Sequence, residues 1–154
     1  MRPGTVVVPA GVVTDAGLYG ADPSLGALFG GLTDHRVWGG TRVAGSAAEK
    51  CALFRRTGAQ AIDLESGVVA QAASDWGVPF IAVRAICDPA ERDLPPAALV
   101  ALDQSGAIGL VRVVASLARQ PGQLPGLLAL ARDAAAARRG LVAVCRRVPA
   151  GPGG

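Results

Sequence analysis

Residues 59–88, AQAIDLESGVVAQAASDWGVPFIAVRAICD, carry the pattern that decides the fold of this chain. The stretch AQAIDL at 59–64 predicts a short strand, and the run 66–76 predicts a helix that ends at Gly77. Helical spacing assigns the apolar face of that helix to Val69, Ala72, Ala73 and Trp76.

The next segment, 79–87, is an almost unbroken apolar run. Such a run is typical of a strand that is buried on both faces of a sheet covered by helices. A strand, a helix and a strand in this order predict a parallel βαβ unit, and therefore an α/β fold.

The residues before this unit predict strands and helices in alternation. A strand or bent strand pair is expected over 5–13, and Asp22-Pro23 begins a short helix that ends near Gly30-Gly31. The stretch 35–44 predicts a further strand, and Ser46 with Glu49 forms the capping box of a helix that runs through Arg56.

The residues after the unit are predicted to be mainly helical. A polar, proline-rich loop after Asp88 leads to a helix through Leu102, another helix is expected over 110–117, and a long one begins near Gly122. We expect a single domain over 1–147 and a disordered tail over 148–154.

Composition excludes several classes of protein. The chain has 154 residues, of which 51% are hydrophobic and 4% aromatic, which fits one globular domain and is too poor in aromatics for nucleic-acid stacking. No apolar run is long enough to span a bilayer and no secretory signal is evident, so a cytoplasmic location is expected. The three widely spaced cysteines predict buried thiols rather than a disulfide framework or a zinc site.

Acidic residues follow both strands of the predicted unit. Asp63 and Glu65 come after the first strand and Asp88 after the second, and ligands of open α/β sheets bind beyond the carboxyl ends of the strands. Two structural alternatives stay open: Asp88 caps the turn that Pro89 begins, and Glu65 complements the dipole of the following helix.

Two motifs in this region resemble the purine nucleoside phosphorylase and nucleoside hydrolase superfamily. The first is Asp63-Leu64-Glu65-Ser66, which corresponds to the Met-Glu-Ser motif of the family. The second is the run from Val83 to Asp88, which corresponds to the family's Val-Arg-x-x-Ser-Asp motif. The stretches PAERDLPPAALVALDQSG and ARQPGQLPGLLALARDAAAARRGL resemble the hopanoid-associated branch. The resemblance implies a three-layer α/β/α fold with a mixed central sheet.

The resemblance also assigns roles to individual residues. It implies that Glu65 binds the ribose hydroxyls, that Leu64 packs against sugar and base, and that Asp88 hydrogen-bonds to or protonates N7 of the departing purine. Proton donation by a partly desolvated carboxyl suits this bond cleavage, because the purine otherwise leaves as an anion. Ser66 is a further substrate-binding candidate, beside the simpler role of beginning the helix.

Two arginines complete the candidate set. Arg84 is a substrate-binding candidate, but pairing with Asp63 is favoured because buried arginines are usually paired. Arg92 either orients Asp88 or is solvated in the loop. His35, the single histidine, has no acid or thiol at ligand spacing, so no metal site is expected.

The family pattern is incomplete in this chain. The glycine-rich first strand that binds phosphate or water in the family has no counterpart here, and Met1 to Gly4 matches the turn that follows the upstream half. We therefore expect the fold without its N-terminal strands. Gly39-Gly40-Thr41 replaces a Ser-Asp pattern near the base.

Two functions compete at this point. The first is cleavage of the N-glycosidic bond of a purine nucleoside, with adenosylhopane and adenine release in hopanoid biosynthesis as the named candidate. It needs no cofactor beyond phosphate as a co-substrate, and the resemblance implies a homo-oligomer. The second is a catalytically incompetent fragment or partner-binding module whose site an upstream segment completes.

The C-terminal region has its own alternative functions. From Arg112 onwards there are seven arginines and one aspartate. A basic helix of this kind either packs on the core with a solvated face, which is favoured, or makes peripheral contact with an anionic membrane, which would suit a lipid-tailed substrate such as an adenosylated lipid.

Overall fold

The computed structural model of the chain describes residues 1–103 and 115–148. The strands are β1 Val6–Val7, β2 Pro9–Thr14, β3 Gly17–Gly20, β4 Thr33–Gly39, β5 Ala61–Asp63 and β6 Arg84–Ala85. The helices are α1 Pro23–Ala27, α2 Ala47–Thr57, α3 Ser66–Trp76, α4 Pro96–Asp103 and α5 Leu124–Cys145. Residues 115–119 are also helical, and a short 3₁₀ turn over Pro121–Gln123 leads into α5.

The main sheet has four strands in the order β3-β2-β4-β5 and is mixed. β2 is antiparallel to β3 and parallel to β4, which is parallel to β5. β1 and β6 form a separate antiparallel pair. The predicted α/β class with a mixed sheet is therefore confirmed.

Local sequence signals place three helix ends correctly, whereas α1 ends at Ala27, before the predicted Gly30-Gly31. Asp22 caps α1 by accepting a hydrogen bond from the Leu25 amide at 2.8 Å. The capping box of Ser46 and Glu49 is complete at the start of α2. Gly77 adopts the left-handed conformation, φ 63°, that ends α3 at the predicted residue.

The β2–β3 hairpin was not predicted from the sequence. Its turn over 15–16 follows the β-branched run 12–14, and β3 consists of Gly17, Leu18, Tyr19 and Gly20. The glycines and the polar turn conceal the alternation that normally reveals a strand. Tyr19 packs against the core cluster of Val12, Ala70 and Ala82.

The prediction for the apolar run 79–87 was wrong in extent and in pairing. Only Arg84–Ala85 forms a strand, and it pairs antiparallel with β1 instead of parallel with β5. Within this run only Ala82 is buried. A continuous apolar strand needs neighbours along its whole length, and the described residues supply one only at its end.

The predicted apolar face of α3 was also partly wrong. The buried residues are Ser66, Gly67, Ala70 and Ala73. Val69 is 54% exposed and Trp76 is 80% exposed. Small side chains face the sheet because α3 approaches β4 closely: a Cβ built on Gly39 would lie 2.4 Å from the amide nitrogen of Gly67.

The long helix α5 packs against the β1–β6 pair at one narrow point. A Cβ on Gly140 would lie 2.6 Å from the carbonyl oxygen of Gly4, so the glycine permits the close approach. Ala137, on the same side of the helix, is buried. Arg92 pairs with Asp133 and joins the loop after β6 to this face of the helix.

The cysteine prediction was wrong as well, because Cys51, Cys87 and Cys145 are all exposed as residues. Part of the predicted helix 110–117, residues 110–114, and most of the predicted tail, residues 149–154, lie outside the described residues. Across the parts of the chain that are described, no helix is both long and apolar enough to cross a membrane.

Candidate active site

The carboxylate of Asp63 organises the junction between β5 and α3. Its Oδ1 accepts the Ser66 amide at 2.9 Å, and its Oδ2 accepts the Ser66 hydroxyl at 2.5 Å. An acid at the end of a strand thereby satisfies the first amide of the next helix. This contact fixes the direction in which the intervening Leu64 and Glu65 leave the strand.

Arg84 on β6 binds the same cluster from the other side. Its Nε donates to Asp63, and its Nη2 donates to the Ser66 hydroxyl at 2.8 Å. The predicted pairing of Arg84 with Asp63 is therefore present. The hydroxyl of Ser66, which is a buried residue, is committed to these two partners.

Glu65 has the geometry of a side chain available to a ligand. It is the N-cap residue of α3 but makes no capping hydrogen bond. Its side chain is 74% exposed, and the nearest cation is Arg84, whose Nη2 lies 3.8 Å from Oε2. A carboxylate near a guanidinium, with most of its surface open, can accept two hydroxyl hydrogen bonds without breaking a structural contact.

A shallow cavity of about 200 Å³ adjoins this cluster. Ser66 and Arg84 form its polar wall, and the apolar wall consists of Val69, Phe80, Ile81, Ala82 and Val83. Pockets that bury small organic ligands usually measure about 300–1,000 Å³. The cavity can therefore hold only part of a ligand of that size.

Asp88 is held by Lys50, a residue that the sequence analysis did not select. Lys50 Nζ donates to Asp88 Oδ2 at 2.5 Å, to the Pro89 carbonyl at 3.1 Å and to the Arg92 carbonyl at 2.7 Å. All three protons of the ammonium are thus used, and its side chain is only 10% exposed. The signal available in the sequence was that Lys50 is the only lysine among 15 basic residues.

The second carboxylate oxygen of Asp88, Oδ1, makes no hydrogen bond with Lys50 or its carbonyl partners. Oδ1 is buried and has no hydrogen-bond partner in the described part of the chain. A buried carboxylate oxygen without a partner is costly unless a ligand or water satisfies it. Among the described residues no backbone amide donates to the Asp88 carboxylate, so the alternative in which Asp88 caps the turn at Pro89 is not what the structure shows; its partner is Lys50.

Arg92 contacts Asp88 only indirectly. Its guanidinium pairs with Asp133 of α5, whereas its carbonyl oxygen accepts from Lys50. The expected alternative of a solvated side chain does not hold, and neither does direct orientation of Asp88 by the guanidinium. The main chain at Arg92 contributes to the site through Lys50.

The pKa of the Cys87 thiol depends on desolvation and on the charges of the neighbouring Asp88 and Lys50. Desolvation raises the pKa of its thiol, the Asp88 carboxylate raises that pKa further, and Lys50 opposes the increase. The thiol is consequently a poor nucleophile at neutral pH.

A larger cavity of about 460 Å³ lies beyond the carboxyl ends of β2 and β4. Its lining includes Asp15, Gly39, Thr41, Gln71 and Asp75. Glu65 and Asp88 line neither of the two cavities, and only the smaller one is bordered by Ser66 and Arg84 of the Asp63 cluster. Gly39 and Gly40 act here in packing, against Gly67 and Trp38.

Among the described residues, no three His, Cys, Asp or Glu side chains form a group that could hold a metal ion. Residues 32–119, more than half of the chain, match the family model described as the phosphorylase superfamily. Comparison with curated proteins and with solved structures gave no significant match.

Proposed function

The chain belongs to the phosphorylase superfamily, and from that premise we propose that it cleaves the N-glycosidic bond of a purine nucleoside, with Asp88 and Glu65 at the reacting centre. The observation that carries the proposal is the state of Asp88. One carboxylate oxygen is held by Lys50 and the other is buried without a partner among the described residues.

Asp88 acts on the leaving group. Its Oδ1 faces N7 of the purine, and the proton that Oδ1 carries passes to N7 as the glycosidic bond breaks, which leaves Asp88 as the carboxylate paired with Lys50. Breaking the bond between C1′ and N9 moves an electron pair onto the base, and a proton at N7 neutralises that charge. Lys50 keeps the carboxylate in one orientation throughout this step.

Glu65 acts on the sugar. Its exposed carboxylate accepts hydrogen bonds from two ribose hydroxyls, while Arg84 stays near enough, at 3.8 Å, to limit its motion. Leu64 and the apolar wall of the 200 Å³ cavity contact the less polar surfaces of the nucleoside. Ser66 supports this arrangement through Asp63 and Arg84.

The substrate, the nucleophile and the oligomeric state extend this proposal. We propose adenosylhopane as a substrate that releases adenine in hopanoid biosynthesis, phosphate or water as the nucleophile, and a homo-oligomer as the working form. Three exposed free thiols suit a reducing compartment such as the cytoplasm.

The test measures adenine release from adenosine and from adenosine carrying an apolar 5′ substituent, each with and without phosphate. We expect Asp88→Asn to lower kcat/KM by about 100-fold or more, since one well-placed proton donor contributes about that factor. Glu65→Ala should lower it by about 100-fold as well, because the ribose is no longer held in the reactive orientation. Glu91→Gln, at an exposed loop glutamate, is the matched control. Wild-type activity that both site variants retain would contradict the site assignment.

A second candidate function is favoured by one observation. Of the apolar residues 78–83, only Ala82 is buried, Val78 and Pro79 are exposed, and the others are half-buried beside a cavity of only about 200 Å³. This exposure supports a partner-binding module in which a further polypeptide segment covers the cavity and completes the site. It predicts that the isolated chain releases no adenine and that adding the completing polypeptide restores release.

A further inference from the structure

The outward face of α5 combines exposed apolar and basic side chains. Apolar residues recur at helical spacing, and all of them are exposed: Leu124, Leu128, Ala131, Ala135 and Val142. Leu124 and Leu128 are each 50% exposed and Val142 is 40% exposed. A stripe of this kind on the side of a helix away from the core has no packing role in the described structure.

Exposed arginines flank or extend the same stripe. They are Arg132, Arg138 and Arg139 within the helix and Arg146 and Arg147 at its end. The only acid of α5, Asp133, is on the opposite face and is paired with Arg92. The inward face is occupied by the contact of Gly140 with Gly4, so the orientation of the helix is fixed.

We infer that α5 is a membrane-surface helix that docks the protein onto an anionic phospholipid bilayer. Apolar side chains between arginines match an interface in which acyl chains lie beneath acidic headgroups. The positive charge of the outward face favours an anionic bilayer over a second copy of the chain as its binding partner. An isologous dimer through this face would bring both sets of arginines together with no acid on the outward face of the helix to pair them.

The test is co-sedimentation of the full chain with vesicles of phosphatidylcholine alone and of equal parts phosphatidylcholine and phosphatidylglycerol. The chain should pellet with the anionic vesicles only, and high salt should release it. Arg138→Gln with Arg139→Gln should lower the partition coefficient about 25-fold, at about 5-fold for each arginine near the surface. Leu128→Ser with Val142→Ser should lower it by about tenfold or more.

Matched controls lie elsewhere on the surface. Arg42→Gln with Arg55→Gln removes the same charge, and Val68→Ser removes an exposed apolar side chain of α3. The controls should pellet like the wild type. Circular dichroism checks folding, and the charge variant alone decides the question if the apolar variant unfolds.

Three results would overturn the inference. One is wild-type chain that stays in the supernatant with anionic vesicles, and another is equal loss of binding in the controls. The third is a change of oligomeric state in gel filtration, caused by the α5 variants without any change in pelleting, which would assign the face to a second copy. The assay uses no substrate, so its outcome is independent of the catalytic proposal.

Discussion

Lys50 illustrates how a single residue can set the chemistry of its neighbour. Its ammonium donates in three directions, to one carboxylate and two carbonyls. A guanidinium is planar and cannot place three donors around one nitrogen in this way, so arginine is not an equivalent replacement. Asp88 is held at one oxygen as a result, and its other oxygen is buried without a hydrogen-bond partner among the described residues.

The charges around Asp88 can be tested without substrate through the reactivity of Cys87. Asp88→Asn removes a charge that raises the pKa of this thiol, so we expect faster alkylation by iodoacetamide near pH 8. Lys50→Gln removes a charge that lowers the same pKa, and alkylation should be slower. Peptide mapping by mass spectrometry measures both rates.

Cys145, on α5, serves as the internal reference for that experiment. Its alkylation rate should be the same in both variants and the wild type. Faster alkylation of Cys87 in Lys50→Gln would contradict this expectation and show that the loop opens once the pair between Lys50 and Asp88 is lost.

Helix α2 shows how an element depends on its first turn. The Glu49 carboxylate accepts the amides of Gly45 at 2.8 Å and Ser46 at 3.1 Å, and the Ser46 hydroxyl accepts the Glu49 amide at 3.2 Å. These hydrogen bonds satisfy amides that the helix itself cannot use. Because α2 carries Lys50, a well-formed first turn also positions the partner of Asp88.

The capping box should make stability depend on pH. The hydrogen bonds from the Ser46 and Gly45 amides hold the pKa of Glu49 below its ordinary value of 4.5. The carboxylate therefore stabilises the fold fully above pH 4.5, and this contribution is lost as the pH falls through the folded-state pKa. We expect Glu49→Gln to lower Tm at neutral pH, by an amount that shrinks in acid.

Thermal unfolding followed by circular dichroism between neutral pH and pH 3 measures this effect. Glu91→Gln, at an exposed turn, should change Tm less than Glu49→Gln at neutral pH. A Tm difference for Glu49→Gln that stays constant down to pH 3 would contradict the carboxylate as the source of the stabilisation.

At the scale of the whole molecule, α5 packs against the small two-stranded sheet formed by β1 and β6. Its contact with β1 and β6 depends on glycine at the crossing, and the Arg92–Asp133 pair ties it to the loop that carries Asp88. The position of the helix and the geometry of the site are therefore coupled. The same docking leaves the opposite, arginine-flanked face of α5 outward.

Gly140→Ala should disturb that docking. Its Cβ would lie 2.6 Å from the carbonyl oxygen of Gly4 and 3.1 Å from a Val6 methyl, so the helix must shift away from the strands. We expect a loss of about 2 kcal/mol in unfolding free energy, as for other overpacked sites. Urea denaturation measures the loss.

The control for that substitution is Gly122→Ala, where no atom lies within 4 Å of the added Cβ. It should change stability by less than about 0.5 kcal/mol. Equal losses at Gly122 and Gly140 would contradict the close crossing as the cause.

Much of this protein was determined by the sequence alone, wherever the cause is local. Asp22, Ser46 with Glu49, and Gly77 predicted helix ends because a cap needs only a few neighbouring residues. The acids after β5 and before Pro89 marked the candidate site for a similar reason, since a change from apolar to acidic at the end of a strand is visible within a few positions.

Tertiary structure alone decided the features that depend on distant partners. Only the fold could pair Arg84–Ala85 with β1, leave Val69 and Trp76 exposed, and bring Lys50 to Asp88 across 38 positions of sequence. The physical reason is that burial and ion pairing depend on which surfaces meet in space. An apolar run or a single lysine shows that a partner is needed, whereas the packed chain determines which partner it has.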